Sequence, residues 1–287
     1  MNYLNEMIRR NTRDMLRRNW GKAVALTVTV MAVLLLGSML ESAIGGLTGT
    51  YGLGTLLTIY RSSLSALTPA RLAASTALTL SVGLVELLLL CPLLLGISEW
   101  LTGLSYGICE NDMGSVFRHY RSPRRFFRAV WLYLNIAVRS WLYTTLLLLP
   151  GSLMIGASEL FTRGTPSSLD RIMAVMGMAM GVCLLILGGI TAWIFTRRYA
   201  LAPYLVIRQD SLTARQAIRE SIQATRGFKT SYAWFQFSFI GWWLFSLFML
   251  PLFYTIPYVW GGNALYARTL LEARRVIPRP GEAAQPA

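Results

Sequence analysis

Apolar runs alternate with clusters of arginine along this chain, and this alternation restricts the possible folds more than any other feature. Basic residues concentrate at 9–22, 118–128 and 197–229, and a long apolar run follows each cluster. A soluble fold has no reason to place charge in this way, whereas polytopic membrane proteins collect Lys and Arg in their short cytoplasmic loops. The sequence therefore predicts an integral membrane protein.

Composition agrees with this prediction and argues against another class. Hydrophobic residues make up 54% of the chain and charged residues only 14%, which is too apolar for a typical soluble domain. A net charge of +14 would favour nucleic-acid binding if it were gathered on one face. Nearly all of the excess lies beside the apolar runs, where anionic phospholipid headgroups are the nearer partner. We therefore expect the lipid bilayer and its anionic headgroups as partners, and no nucleic acid.

The apolar runs are long enough to cross a bilayer, whose core of about 30 Å needs about 20 helical residues. Spans are predicted at 23–40, 73–97, 129–155, 172–200 and 232–250. A Ser or Thr followed by proline, a typical helix start, precedes three of them: Thr68-Pro69, Ser122-Pro123 and Thr165-Pro166. The stretch 251–275 contains two prolines and Gly261-Gly262, and we interpret it as a return through the membrane, either a short broken helix or a re-entrant hairpin.

The distribution of charge sets the predicted topology. Segments 1–22, 98–128 and 197–229 carry six, five and seven basic residues, whereas 41–71 and 156–171 carry two each. The richer segments, and the N-terminus with them, are expected in the cytoplasm. The predicted fold class is all-α: a polytopic transmembrane helical bundle of about six spans, as three helical hairpins with cytoplasmic amphipathic helices. Residues 1–275 are predicted to form a single integral membrane domain, and 276–287 a disordered, Pro-rich C-terminal tail.

Several motifs in the last third of the chain resemble a known family. They are Gly227-Phe228-Lys229, Phe237-Ser238-Phe239-Ile240-Gly241-Trp242, Pro257-Tyr258 and, upstream, Tyr199-Ala200-Leu201-Ala202-Pro203-Tyr204. In these the sequence resembles the bacterial multi-pass membrane proteins catalogued as domain of unknown function 975. The resemblance implies a helical membrane fold in the bacterial cytoplasmic membrane, without an activity. A more distant similarity in pattern, to membrane domains attached to some glycerophosphodiester phosphodiesterases, implies work on lipids or the envelope.

Glu86 and Arg139 are the two charges deepest inside predicted spans. Glu86 lies 12 positions before Ser98, and Arg139 lies 11 positions after Arg128. At about 1.5 Å per residue, both stand some 16–18 Å from the cytoplasmic edge. Matching depth predicts an ion pair, and such intramembrane charges usually face a cavity or the bundle interior. The pair is therefore a candidate substrate-binding site, and the alternative is a pair that only fixes helix register.

Residues 211–226 are predicted to form an amphipathic helix that ends at Gly227. Arg215, Arg219 and Arg226 occupy its polar face. We expect these arginines at the membrane surface, paired with lipid phosphates. The alternative is a docking surface for an unknown cytosolic protein partner.

The fourth span carries small residues on one face. Ala174, Gly177, Gly181 and Gly188 follow each other at spacings of three, four and seven. Such a face lets a second helix approach closely. We interpret it as an intramolecular packing surface.

Catalytic and metal-binding motifs are missing from the sequence. His119 is the sole histidine, and we interpret it as a solvated loop residue beside Arg118. No HExxH, GxSxG or phosphate-cradling glycine loop occurs, and the three cysteines are too scattered for a metal site. We predict a non-enzyme without metal or cofactor. We predict that it handles a lipid or other amphiphile in the cell envelope or acts like a transporter. The alternative is a non-transporting membrane scaffold or accessory subunit that recruits partners through basic cytoplasmic helices.

Overall fold

The computed structural model describes residues 2–273 except 53, 57–67, 108–112, 161–166 and 210, and over these residues it contains no strand. The main α-helices are α1 Asn2–Arg17, α2 Trp20–Thr48, α3 Pro69–Ser105, α4 Pro123–Leu160, α5 Ser168–Thr196, α6 Ala202–Arg208, α7 Ala214–Ala224, α8 Lys229–Phe237, α9 Ile240–Phe245 and α10 Leu252–Ala273. Short 3-10 helices lie at Met113–Tyr120, Arg197–Tyr199 and Ser246–Phe248. The all-α prediction is confirmed.

Four helical segments are long and apolar enough to cross a membrane. They are Trp20–Thr48, Pro69–Ser105, Pro123–Leu160 and Ser168–Arg208. These correspond to the first four predicted spans, and the helices are longer than predicted at both ends. The arrangement of six spans in three hairpins is not confirmed.

Local sequence explains where the spanning helices begin. Thr68 caps α3, its hydroxyl accepting a hydrogen bond from the Arg71 amide at 3.4 Å, with Pro69 at the first helical position, as predicted. α5 instead begins with a capping box in which Ser167 and Asp170 satisfy each other's backbone amides. The predicted start at Thr165-Pro166 lies outside the described residues.

The fifth predicted span, 232–250, does not form a continuous helix. The chain is divided there into α8, α9 and the 3-10 helix Ser246–Phe248. The Ser238 hydroxyl donates to the Phe235 carbonyl at 2.6 Å, a local bond that competes with helix continuation. By contrast α10 is continuous over 22 residues although it contains Pro257, so the short broken helix predicted as one alternative for 251–275 is not observed.

The described residues group into two compact units. The first comprises the described parts of 1–8, 131–241 and 265–287. Its core contains packed aromatic rings: the Phe235 ring lies edge-to-face with that of Phe239 at 5.1 Å and stacks on that of Tyr266 at 5.0 Å, between centroids. These rings hold the start of the broken segment against the end of α10.

The second unit comprises the described parts of 9–130 and 242–264. Its α10 portion packs on the N-terminal helices, because a Cβ at Gly261 would lie 3.0 Å from Thr12 and 3.2 Å from Leu16. The Trp20 and Tyr254 rings add a contact at 4.5 Å between centroids. The single domain predicted over 1–275 stays a prediction.

α4 and α5 pack tightly in the first unit through the small residues of the fourth span. Gly177, Gly181 and Gly188 are buried. A Cβ at Gly188 would lie 2.4 Å from the Leu147 carbonyl oxygen, and one at Gly181 would lie 3.0 Å from that of Gly151. The predicted intramolecular packing face is confirmed.

Candidate functional site

Glu86 lies on α3 in the second unit, half-buried against α2. Its carboxylate occupies the space beside Gly37, where an added Cβ would stand 1.7 Å from Oε1. Nearer the ends of the same two helices, the Thr79 hydroxyl donates to the Glu41 carboxylate at 2.7 Å. The α2–α3 contact therefore accommodates two carboxylates. Gly37 was not singled out from the sequence, because only the fold shows which residue faces Glu86.

Arg139 lies on α4 in the first unit, one helical turn from Tyr143. The Arg198 guanidinium stacks on the Tyr143 ring at 4.1 Å from its centroid and donates to the Tyr199 hydroxyl at 2.6 Å. Arg139 thus belongs to a group of arginines and tyrosines at the end of the fourth span. Its predicted pairing with Glu86, which lies in the other unit, stays a prediction.

The length of α4 affects where Arg139 lies along the candidate membrane span. The 38 residues of this helix extend about 57 Å, compared with about 30 Å for the hydrocarbon core of a bilayer. Because Tyr143 contacts Arg198, this part of α4 lies level with the basic end of the fourth span. Arg139 is one turn closer still to the start of α4. Arg139 therefore lies near the level of the basic end of the fourth span, and its predicted depth in the membrane stays a prediction.

Helix α7 is amphipathic, as predicted, although it begins at Ala214 rather than Ser211 and ends at Ala224, so Arg226 lies just beyond it. Thr213 caps it in a capping box with Gln216. Its apolar face is buried, whereas Arg215, Arg219 and Arg226 are exposed. The Ser221 hydroxyl donates to the Arg198 carbonyl at 2.7 Å and so fastens α7 to the end of the fourth span.

An apolar groove of about 500 Å³ lies between α5 and α8 within the first unit. Its lining includes Gly189, Trp193 and Ile194 from α5, and Ala233, Trp234 and Phe237 from α8. Thr230 supplies the only hydroxyl among the described residues that line it. A Cβ built at Gly189 meets no atom within 4 Å, so this glycine leaves open space beside the groove. The sequence did not predict this groove.

Arg197 follows the groove-lining face of α5. Its guanidinium carbon lies 4.9 Å from the centroid of the Trp193 ring, one turn back. Its Nε is buried without a hydrogen-bond partner, and among the described residues no carboxylate forms an ion pair with it. An aromatic ring thus holds a partly buried cation beside an apolar groove.

A polar cluster in the second unit overturns the prediction for His119. This residue is only 9% exposed, and its Nε2 lies 2.9 Å from Oε2 of Glu99 on α3. Arg118 reaches the other carboxylate oxygen at 3.4 Å. The solvated-loop interpretation is wrong, because Val116 packs its carbonyl onto Gly96, where a Cβ would stand 1.9 Å away, and this draws the whole 3-10 helix onto α3. Next in the chain, Tyr120 donates to the Leu89 carbonyl, and burial raises the pKa of its hydroxyl.

With this geometry established, comparison with known proteins decides the family. A family model described as protein of unknown function (DUF975) matches residues 1–274. The chain belongs to the DUF975 family. No curated protein and no solved structure matches it.

Two of the segments that carried the resemblance to the DUF975 family lie in the first unit, next to Arg197 and at the groove. In the stretch from Tyr199 to Tyr204, residues Leu201 and Ala202 are almost completely buried. In Phe237-Ser238-Phe239, Phe237 lines the groove, whereas Phe239 belongs to the aromatic core. Arg197 directly precedes the first of these stretches, and the sequence analysis gave it no separate role.

Proposed function

We propose that this DUF975 protein binds a lipid or another amphiphile of the cell envelope, without catalysing a reaction, in the groove between α5 and α8. The observation that carries the proposal is the groove itself, which has a volume of about 500 Å³ and an almost entirely apolar lining. Ligand sites of this size are usually apolar with a few polar groups at one end. Here Thr230 and the cation of Arg197 supply such groups.

The membrane setting is part of the same proposal. The location is the bacterial cytoplasmic membrane, with the N-terminus and the arginine clusters in the cytoplasm. The third hairpin, from α8 to α10, enters and leaves on the cytoplasmic side. Six full crossings and four crossings plus a re-entrant hairpin both satisfy this topology, and they differ in the depth that the turn at 247–250 reaches.

Native mass spectrometry of the full chain in mild detergent tests the groove. Phenylalanine at Gly189 would occupy the open space there, so Gly189→Phe is expected to lose a lipid that the wild type retains. Gly83→Phe on α3 is the matched control, because a Cβ at Gly83 also meets nothing within 4 Å. Equal retention of the same lipid by both variants and the wild type would refute the groove as the site.

Glu86 and Arg139 remain the site proposed from the sequence, and the same measurement addresses them. Glu86→Gln removes the charge with little change in shape. If the lipid is lost from this variant while the protein stays folded, the binding site lies at Glu86. If the lipid is retained, a structural role for Glu86 in the α2–α3 contact is favoured.

A scaffold role is the second candidate, and helix α7 favours it. Its apolar face is already buried while Arg215, Arg219 and Arg226 remain exposed, so the arginines can meet headgroups or an acidic partner protein. Replacing all three by Gln is expected to abolish recruitment of a protein partner in crosslinking from intact membranes. Unchanged crosslinking in this triple variant would exclude the scaffold role of α7.

A further inference from the structure

We propose that the occupant of the α5–α8 groove is an anionic phospholipid of the surrounding bilayer, with its phosphate bound by Arg197. This inference rests on the proposed function and specifies its ligand. It follows from the position of one cation relative to the groove.

The groove and the cation share one face of the fourth span. Gly189, Trp193 and Arg197 follow at intervals of four residues and so lie nearly above one another along the helix. Gly189 and Trp193 line the groove, and the guanidinium of Arg197 lies 4.9 Å from the Trp193 ring centroid. An acyl chain in the groove would therefore have its headgroup beside Arg197.

The surroundings of the Arg197 guanidinium favour a bound anion. Its Nε is buried without an acceptor, and no carboxylate of the described residues pairs with it. Arginine stays protonated in proteins, so the charge cannot be relieved by losing a proton. A cation withdrawn from water is unfavourable without a counter-charge, and a phosphate matches the planar donor fork of a guanidinium.

The neighbouring arginine is already engaged and cannot serve equally well. Arg198 stacks on the rings of Tyr143 and Tyr199 and donates to the Tyr199 hydroxyl at 2.6 Å. Its carbonyl also accepts the hydrogen bond from Ser221. Arg198 therefore holds α4, α5 and α7 together: its Nε is buried without a partner, like that of Arg197, but its guanidinium already contacts two tyrosines.

The test is a competition between two lipids with identical acyl chains. Delipidated full-length protein in detergent is titrated with an equimolar mixture of dioleoyl phosphatidylglycerol and dioleoyl phosphatidylcholine, and native mass spectrometry counts each bound lipid. We expect the wild type to prefer the anionic lipid about tenfold, because the choline ammonium of phosphatidylcholine offsets the attraction between its phosphate and the Arg197 cation, whereas the glycerol of phosphatidylglycerol is neutral. Arg197→Gln should bind both lipids equally, and Arg197→Lys should keep most of the preference.

Two further variants make the outcome decisive. Arg171→Gln removes an exposed arginine from the opposite end of α5 and should behave as the wild type. Gly189→Phe should lose both lipids, because it fills the groove. The role of Arg197 would be overturned if Arg197→Gln kept the full preference for phosphatidylglycerol, or if the wild type showed no preference. Either result would count against Arg197 even if Gly189→Phe loses its lipid. Undiminished binding by Gly189→Phe would overturn the groove, and the proposed function with it.

Discussion

At the scale of single residues, the Glu99–His119 contact shows how a largely buried polar pair attaches the 3-10 helix Met113–Tyr120 to the candidate spanning helix α3. The His119 ring is almost buried, and its Nε2 lies 2.9 Å from a carboxylate that is itself only 28% exposed. A half-buried carboxylate that loses a hydrogen-bond partner bears a desolvation penalty. The contact should therefore contribute measurably to stability.

We predict that His119→Leu lowers the free energy of unfolding by about 1–3 kcal/mol, because Glu99 would keep Arg118 but lose its closer partner. His119→Gln is the control, since its amide can still donate to Glu99 and should recover much of the loss. Thermal unfolding in detergent, followed by circular dichroism, measures both. Equal midpoints for His119→Leu and the wild type would contradict a stabilising role.

Glu86 and Gly37 form a second residue-scale contact, and a double-mutant cycle can isolate it. Gly37→Ala places a methyl group where the Glu86 carboxylate lies, so we predict a loss of about 1 kcal/mol from overpacking. In a Glu86→Ala background the same change should be neutral or stabilising, because the space is empty and Ala favours helix. Thermal unfolding of the four proteins gives the coupling, and additive effects would disprove the contact.

At the scale of helices, the α4–α5 pair offers two adjacent glycines with opposite surroundings. A Cβ at Gly188 would lie 2.4 Å from the Leu147 carbonyl, whereas one at Gly189 meets nothing within 4 Å. We predict that Gly188→Ala destabilises the fold by about 1–3 kcal/mol through helix separation, while Gly189→Ala has no such cost. Chemical or thermal unfolding in detergent compares them. A similar loss in both variants would show that helix propensity or lipid contact, rather than packing, governs this face.

Helix caps and helix faces could be predicted from the local sequence, whereas contacts between distant segments could not. The cap at Thr68 and the small-residue face depend on neighbours within one or two helical turns, so both could be predicted. The groove requires α5 and α8 to meet across more than thirty residues of sequence. The burial of His119 depends likewise on Val116 packing against Gly96 of α3. Long-range contacts of this kind leave no periodic signal in the sequence.

At the scale of the whole molecule, the depth of the third hairpin determines the number of crossings. The end of the 3-10 helix and the turn that follows it present Leu247, Phe248, Met249 and Leu250, which are 74–81% exposed. Water-exposed turns are normally polar, whereas this one has no polar side chain. From Leu252 to Arg268, α10 extends about 24 Å, which is less than the hydrocarbon core of about 30 Å. An apolar turn at this distance is expected to remain within the lipid.

We therefore predict four crossings and a re-entrant hairpin. In a variant whose native cysteines are replaced by serine, a cysteine at Leu250 should resist a membrane-impermeant maleimide from either side of the membrane. A cysteine at Thr50, just beyond α2, should react from outside, and one at Arg219 only after the cytoplasmic side is opened. Reaction of the Leu250 position from outside would establish six full crossings instead. Because the hairpin returns to the side from which it entered in both cases, the proposed position of Arg197 in the cytoplasmic leaflet does not depend on this result.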